Sequence, residues 1–491
     1  MCAKQETGVG GEASGRWWPV VVSLAAIAVY AAAGARDVVW GESIKQTIYV
    51  YDLNFTLSQW NHAGSLLLSW PFSLVPIEPY AQRLHLFSAA MSGIGLGFLY
   101  SALVRLGTGR GPALVGVAAT GVAHTVWMVS SMYESYPVVI FCLSLTAWLL
   151  VVKRPILAGL VLGFGALANP LCLFSMPAIV WLSWHSDSGK KGAEKAVFGV
   201  LLGWLLPSLA IVGFTASAKM EQLNWSEAFE RYANLELLAK NLSLLGALAL
   251  YNLAGPALVL VCMGLRQFSR TTCIGVGLLL ATHYLFAGCW MIQRSYLIVI
   301  PVYLAASYPI ALGARTILAS RPALLRPLLC ACIGLPILGY LVAPPIARLL
   351  PTDGIVRDAP YRDEVVFFLR PWKANDRSAR RYLEDLEREL PQGSLVLGDF
   401  VAQGPLRYAQ KVEGWREDLV LFRIDHLSAE SLLTRVRSAL DAGRPVYLLD
   451  DEPEYFPERL AELGKLVGRE RVESLFELRP GSIPGFGARE E

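Results

Sequence analysis

Charge is scarce in this chain. Only 17% of its 491 residues are Asp, Glu, Lys or Arg, against 54% hydrophobic ones and a mean hydropathy of +0.44. That balance excludes an ordinary water-soluble enzyme and makes lipid the expected solvent for much of the length. An excess of one sign is missing as well: 43 basic and 40 acidic side chains leave a net +3, so no nucleic-acid partner and no generally acidic ligand is expected. Paired cysteine is absent too. Cys142, Cys172, Cys262, Cys273, Cys330 and Cys332 fall inside apolar runs, Cys289 ends one and Cys2 sits in the N-terminal tail. With no CxxC pair and no Cys/His ligand spacing, a zinc site and a disulfide framework are both unexpected, and small apolar packing is the reading. No GxGxxG or Walker loop occurs, so no nucleotide is assigned. No cofactor is indicated, and a divalent metal stays open because carboxylates alone do not fix a cation.

What the sequence does have is a succession of apolar runs. The first, Trp17 to Ala35, follows Lys4 and Arg16, can cross a bilayer of about 30 Å, and lacks the small-residue cleavage region of a signal peptide. It reads as a retained first helix. Further runs near 85–105, 112–131, 136–152, 156–169, 170–185, 197–217, 243–264, 272–292, 295–314 and 324–343 bring the expectation to about eleven spans. Asn169-Pro170 divides 156–185 into two helices, because proline removes a backbone donor and disfavours helix at the residue before it; one long kinked helix is the alternative.

Basic residues concentrate in alternate short loops: Lys4 and Arg16; Arg105 and Arg110; Lys153 and Arg154; Lys190, Lys191 and Lys195; Arg266 and Arg270; Arg315, Arg321 and Arg326. These should face the cytoplasm, which puts the N-terminus inside and the opposite loops, with Asp37, Glu42, Asp52 and Glu134, outside. An odd span count then carries the C-terminus outside. After Pro351 charges become dense and strand-like runs alternate with helical ones: helices to Leu390, over Leu406–Lys411, Ser428–Ala442 and Pro457–Leu466, and strands over Ser394–Leu397, Leu419–Phe422 and Val446–Leu449. The expected architecture is a mainly α polytopic membrane bundle over 1–350 with a long first outer loop, 36–70, and an extracytoplasmic, soluble α/β domain over 351–491 built on a mostly parallel sheet.

The loop 36–70 carries three acids together with Asn54, Trp60, Asn61 and His62. A carboxylate beside the outer bilayer face can deprotonate an acceptor hydroxyl in a partly dehydrated site; the alternative is a loop of solvated acids. Glu134 lies in a very short outward turn, where an acid close to hydrocarbon is costly unless solvated, paired or used. His124 reads as a hydrogen-bonded core histidine. Gln293-Arg294-Ser295-Tyr296 opens an outward helix end against the usual charge bias, so Arg294 can hold a lipid phosphate or simply snorkel to the interface.

Four stretches together resemble one known family: the acidic outer loop ending in His62-Ala63-Gly64; Leu74-Val75-Pro76 followed by Gln82-Arg83-Leu84-His85-Leu86-Phe87-Ser88-Ala89; Glu134-Ser135-Tyr136; and the tail motifs Asn375-Asp376-Arg377-Ser378, Leu397-Gly398-Asp399, Arg407-Tyr408-Ala409-Gln410 and Gly414-Trp415-Arg416-Glu417-Asp418-Leu419. The chain resembles the bacterial GT-C-type membrane glycosyltransferases long known as a domain of unknown function, a family that includes the animal O-mannosyltransferase of plexin and related IPT domains. The resemblance implies a GT-C-like helical bundle and an inverting transfer of a mannose-like hexose from a polyprenyl-phosphate-linked donor to a protein, glycan or lipid acceptor at the outer face. It implies an outer-loop acid as base, carried over to Asp52 with Glu42 as the rival, and Glu134 assisting. Asn54, Trp60, Asn61, His62, Arg83, Gln293, Arg294 and Tyr296 are the expected substrate-binding positions. Two other readings stand beside it: a lipid or sugar transporter or flippase, and a non-catalytic membrane anchor for the outer domain.

Overall fold

A computed structural model describes residues 17–55, 62–186, 189–214, 235–289, 296–349, 359–424, 429–449, 466–468, 472 and 474–478. Trp60, Asn61, Gln293, Arg294, the basic pair Lys4 and Arg16, and nearly all of the expected helix Pro457–Leu466 lie outside those residues.

Among the described residues, every apolar run is helical. The bundle contains α1 (Trp18–Ala33), α4 (Tyr80–Arg105), α5 (Arg110–Gly121), α6 (His124–Ser130), α7 (Tyr136–Val151), α8 (Pro155–Ala168), α9 (Leu171–Phe174), α10 (Met176–Trp184) and α11 (Gly189–Phe214), then helices Leu235–Asn252, Pro256–Leu265, Arg270–Cys289, Ile300–Ser320 and Leu325–Ala347. By length and composition, five described helices can cross a membrane, or up to seven if each bent pair is one span; four shorter apolar helices accompany them. The helix break expected at Asn169-Pro170 falls where proline demands it: α8 stops at Ala168, and the Asn169 side chain accepts the Leu171 N–H at 3.1 Å.

Two runs expected as continuous are broken instead. The chain bends by 70° between α5 and α6, and by 105° between the helices ending at Asn252 and starting at Pro256, where Gly255 takes φ 71°. The breaks interlock, since the Thr125 N–H released at the start of α6 donates to Asn252 Oδ1 at 2.8 Å. A buried donor freed by the bend is thereby satisfied.

Close helix contact depends on glycine. In α8 and α11, a Cβ built on Gly159, Gly163, Gly199 or Gly203 would lie within 3.0 Å of the facing helix's backbone. Gly159/Gly163 and Gly199/Gly203 are each four residues apart, the small-xxx-small spacing that lets helices associate in lipid. Gly163→Leu is therefore expected to cost at least about 1–3 kcal/mol through overpacking, read as a lower unfolding temperature in detergent, with Gly277→Leu, which faces open space, as the silent control.

Within 36–70, expected as a loop, the described residues are largely helical: α2 spans Glu42–Tyr51 and α3 spans Ala63–Ser73. Its polar residues mask an amphipathic pattern, with Ile44 and Ile48 one turn apart in a core shared with the tail and Val50 in a core shared with the bundle. In the tail, five strands, β1 (Leu395–Gly398), β2 (Val420–Arg423), β3 (Val446–Leu448), β4 (Leu466–Gly468) and β5 (Phe476–Leu478), pair in the order β2-β1-β3-β5-β4. β1 runs parallel to β2 and β3, while β5 is antiparallel to β3 and β4, so the sheet is mixed rather than mostly parallel. Helix Ser378–Glu389 precedes β1, helices Gly404–Glu413 and Ala429–Asp441 separate β1, β2 and β3, and Asp376 takes up the Ser378 N–H at 3.1 Å at the start of the first helix.

Candidate active site

The end of the bundle that meets the sheet is assembled by α2. Its C-terminal residue boundary is Asp52, whose N–H returns to the Ile48 carbonyl at 2.8 Å, and Leu53 follows in the left-handed region at φ 53°. The Asp52 carboxylate pairs with Lys411, on the helix Gly404–Glu413, 359 residues away in sequence. Tyr51 packs edge-on to Tyr80 at 5.5 Å between ring centroids. Tyr80 in turn packs against the core that contains Tyr133, the residue before Glu134.

Glu134 is buried, between Tyr133 and Ser135. The backbone around it is held from three sides. His85 Nε2–H donates to the Asp37 carbonyl at 2.9 Å, which leaves Nδ1 to accept the Tyr133 N–H at 2.8 Å. The Tyr133 hydroxyl meets Ser69 Oγ of α3 at 2.6 Å. Asn169 Nδ2 donates to Ser135 Oγ at 3.0 Å. His62 enters the same corner in the left-handed region, φ 54°, and places Nδ1 3.0 Å from the Ala168 carbonyl; since a carbonyl only accepts, Nδ1 carries the hydrogen. The buried Glu134 thus stands on a backbone fixed on either side by hydroxyls, a histidine and an amide.

The remaining expected positions are placed less favourably. Glu42 opens α2 and pairs with Lys45 at 3.2 Å, one turn on. Asn54 sits beyond the end of α2, its N–H bonded to Tyr49 O at 2.9 Å. Arg83 is a local brace: Nε donates to Ile77 O at 2.6 Å, Nη1 to Ser73 O at 2.7 Å and Nη2 to Glu78 at 2.5 Å. Tyr296 is buried in the apolar core, edge-on to Phe368 at 5.2 Å. Among the described residues no group of three His, Cys, Asp or Glu side chains comes together to hold a metal.

Sequence reasoning missed the partners that join tail to bundle. Arg380 grips Asp37 through Nε and Nη2, each at 2.9 Å, and Glu413 through both Nη atoms; Glu413 first and Asp37 second push its guanidinium pKa up. Trp40 Nε1 donates to Ser378 Oγ at 3.1 Å and its ring meets Tyr382 at 5.2 Å. The tail motifs turn out to fasten loops: Arg416 chelates Asp418 and holds its carboxyl well below the usual range, while Gln410 donates to the Arg416 and Leu419 carbonyls at 2.9 Å. Lys411 stands beside one of these motifs, but a lysine in a last helical turn is already explained by the helix dipole, so nothing in the sequence singled it out.

The two inter-segment ion pairs differ in worth. Lys411 and Asp52 are 51% and 32% exposed, whereas Arg380 and Asp37 are 20% and 16% exposed. Lys411→Met is expected to change stability by no more than about 1 kcal/mol. Arg380→Met strands two facing carboxylates and should cost about 3 kcal/mol; parallel thermal unfolding of the two variants checks the ranking.

No protein-family profile and no curated protein sequence matches the chain. Among solved structures, the crystal structure of ArnT from Cupriavidus metallidurans in the apo state is similar, with a TM-score of 0.55 and 10% identity over 95% of this chain and 98% of that one. The likeness is one of fold, and it runs nearly end to end in both proteins.

Proposed function

We propose that the protein is a membrane glycosyltransferase that moves a sugar, a mannose-like hexose, from a polyprenyl-phosphate donor to an acceptor hydroxyl on the extracytoplasmic side, with inversion. Asp52 is the base, with Glu42 its rival; Glu134 and His62 shape the acceptor site; Arg294 and Gln293 hold the donor phosphate; Asn54, Trp60, Asn61, Arg83 and Tyr296 line the substrate path; and the tail presents the acceptor. Eleven spans, the four shorter apolar helices included, belong to this proposal. The ArnT-like fold supports it, ArnT being a glycosyltransferase of GT-C type. The observation that supports it is the Asp52 carboxylate at the end of α2, paired with Lys411 of the tail where the bundle meets the sheet. An acid there removes the acceptor proton as the new glycosidic bond forms and the phosphate leaves with the electrons of the old one.

Transport is the competing reading, and the two broken helices favour it. Yet several polar groups at those breaks are engaged by the protein itself, His124 Nε2 donating to the Phe368 carbonyl at 2.7 Å and the Tyr251 hydroxyl to Leu369 O at 2.8 Å, while His124 Nδ1 and the Thr125 hydroxyl have no partner among the described residues. Incubating the purified protein with a panel of polyprenyl-phosphate sugars decides between them. Consumption of one donor with release of polyprenyl phosphate is expected; movement of intact labelled donor across proteoliposomes, with no donor consumed, overturns the proposal.

A further inference from the structure

We propose that α3 is seated in a lipid surface, its outward stripe of Leu67, Trp70, Pro71 and Leu74 lying among the upper acyl chains of the leaflet at the Asp52 end of the bundle. Leu67, Trp70 and Leu74 are 37%, 39% and 65% exposed, and Pro71 is exposed beside them. Their spacing of three and four residues puts all four on one helical face. The other side, with Ser65, Ser69 and Ser73, is buried against protein.

That arrangement reverses a helix at home in water, which hides its apolar stripe and shows its hydroxyls. Here the hydroxyls are spent inside: Ser69 Oγ meets the Tyr133 hydroxyl at 2.6 Å, and Ser73 Oγ donates to the Trp70 carbonyl at 2.6 Å. What remains for the surroundings is apolar. No charged residue occurs from Ala63 to Ile77, and Val75, 38% exposed, carries the patch past the helix end. A contiguous apolar surface calls for an apolar partner, and Trp70 indicates which, since tryptophan collects where acyl chains meet headgroups. α3 also packs on α4 and α8, and α4 is long and apolar enough to cross a membrane, so the stripe adjoins surface that the bundle turns to lipid.

Length and anchorage fix how the helix lies. Its 11 residues rise about 16 Å, half of a ~30 Å hydrocarbon core, so α3 does not cross. Both of its ends are tied to one end of the bundle. At the start, His62 Nδ1 donates to the carbonyl of Ala168, the last residue of α8, at 3.0 Å; at the finish, the Ser73 carbonyl accepts Nη1 of Arg83, in the first turn of α4, at 2.7 Å. A helix held in this way lies along the leaflet, its apolar side about 5–10 Å into the boundary of headgroups and acyl chains. Leu66 of α3 shares a core with Val50, two residues before Asp52, so this seat sets the depth of that carboxylate at the leaflet surface. On the glycosyltransferase reading, a donor anchored in the leaflet and a hydroxyl in water then both reach Asp52; the lipid seat itself does not rest on that reading.

Fluorescence in phosphatidylcholine nanodiscs tests this on the full chain with Cys2, Cys262, Cys273 and Cys330 replaced by serine. A nitrobenzoxadiazole label on Leu67→Cys or Leu74→Cys should be quenched at least about twofold more by lipid brominated near the top of its acyl chains than by lipid brominated near their methyl ends. The same label on Glu384→Cys, exposed on the helix Ser378–Glu389, should respond to neither. Absence of quenching at both α3 positions, whether water, another segment or a second copy of the chain covers the stripe, overturns the proposal. So does stronger quenching by the deeper bromines, the mark of a crossing segment. If a labelled variant fails to fold, a photoactivated diazirine phospholipid is used on the unmodified chain: it should mark residues 67–74, and no mark there overturns the proposal equally. Neither readout involves sugar transfer, so the inference and the proposed function fail separately.

Discussion

Asp52→Asn is expected to lower the rate of sugar transfer by about 10²–10⁴-fold, the range for loss of a positioned general base, while the protein inserts and unfolds as before. Stability should scarcely change, because the Asp52–Lys411 pair is largely solvated and exposed pairs contribute about 1 kcal/mol or less. Asparagine keeps the shape and a hydrogen bond to Lys411 but takes no proton. Glu42→Gln provides the contrast: Glu42 is bound to Lys45 one turn along α2, so its loss should leave transfer within a few-fold of normal. Rates measured at matched protein amount separate the two acids. A near-normal Asp52→Asn rate rejects the base assignment, and a collapse on Glu42→Gln moves it to Glu42.

The second large effect is on stability and its dependence on pH. Lys373 is 2% exposed, and its ammonium donates to the Phe367 and Arg370 carbonyls beneath the ring of Phe367. Burial first, and Arg362 after Asp376's opposing pull, lower its pKa from 10.5 to about 7. The folded state thus disfavours the charged form. Above about pH 10.5 the amine is neutral in both states and nothing is lost. As pH falls from there, the unfolded chain takes up a proton that the folded chain refuses, so stability declines until about pH 7, below which both states are charged and the loss is complete. The total loss is on the order of a few kcal/mol, since each pH step of one between those two limits removes about 1.4 kcal/mol. Lys373→Met should flatten that slope, and at high pH it should cost about 1 kcal/mol for each carbonyl left without its donor. Denaturation of both proteins between pH 7 and 10 is the check. Parallel curves for the two would show that Lys373 does not set the slope.

The residues behind these two effects were not equally visible in the sequence. Asp52 and Glu134 stood out because an acid beside apolar sequence needs a reason, and the helices stood out because apolar length is a strong signal. The breaks at His124 and Gly255 did not, since hydropathy is blind to direction and a bent pair has the composition of a straight one. Nor did α2: its ten residues carry charges on one side and apolar residues on two others, which averages to the look of a loop. Lys373 and Arg380 were invisible for a different reason. Arg380 pairs with Asp37, and the stretch that buries Lys373 docks on the bundle through the Lys373 N–H to the Ala33 carbonyl at 2.8 Å, both more than three hundred residues away, and spacing along the chain holds no trace of such contacts. The antiparallel strands β4 and β5 are three residues each, below the length at which alternation can be read.

The account depends on the Asp52 end of the bundle facing away from the cytoplasm and the Lys153 end facing into it. A membrane-impermeant maleimide applied to intact cells reads this directly, with Cys2 and the thiols exposed among the described residues, Cys262, Cys273 and Cys330, replaced by serine. Lys411→Cys should label in intact cells, and Arg154→Cys only after permeabilisation. The reverse pattern would contradict the account, because the proposed base would then lie on the side where the outer acceptor never comes.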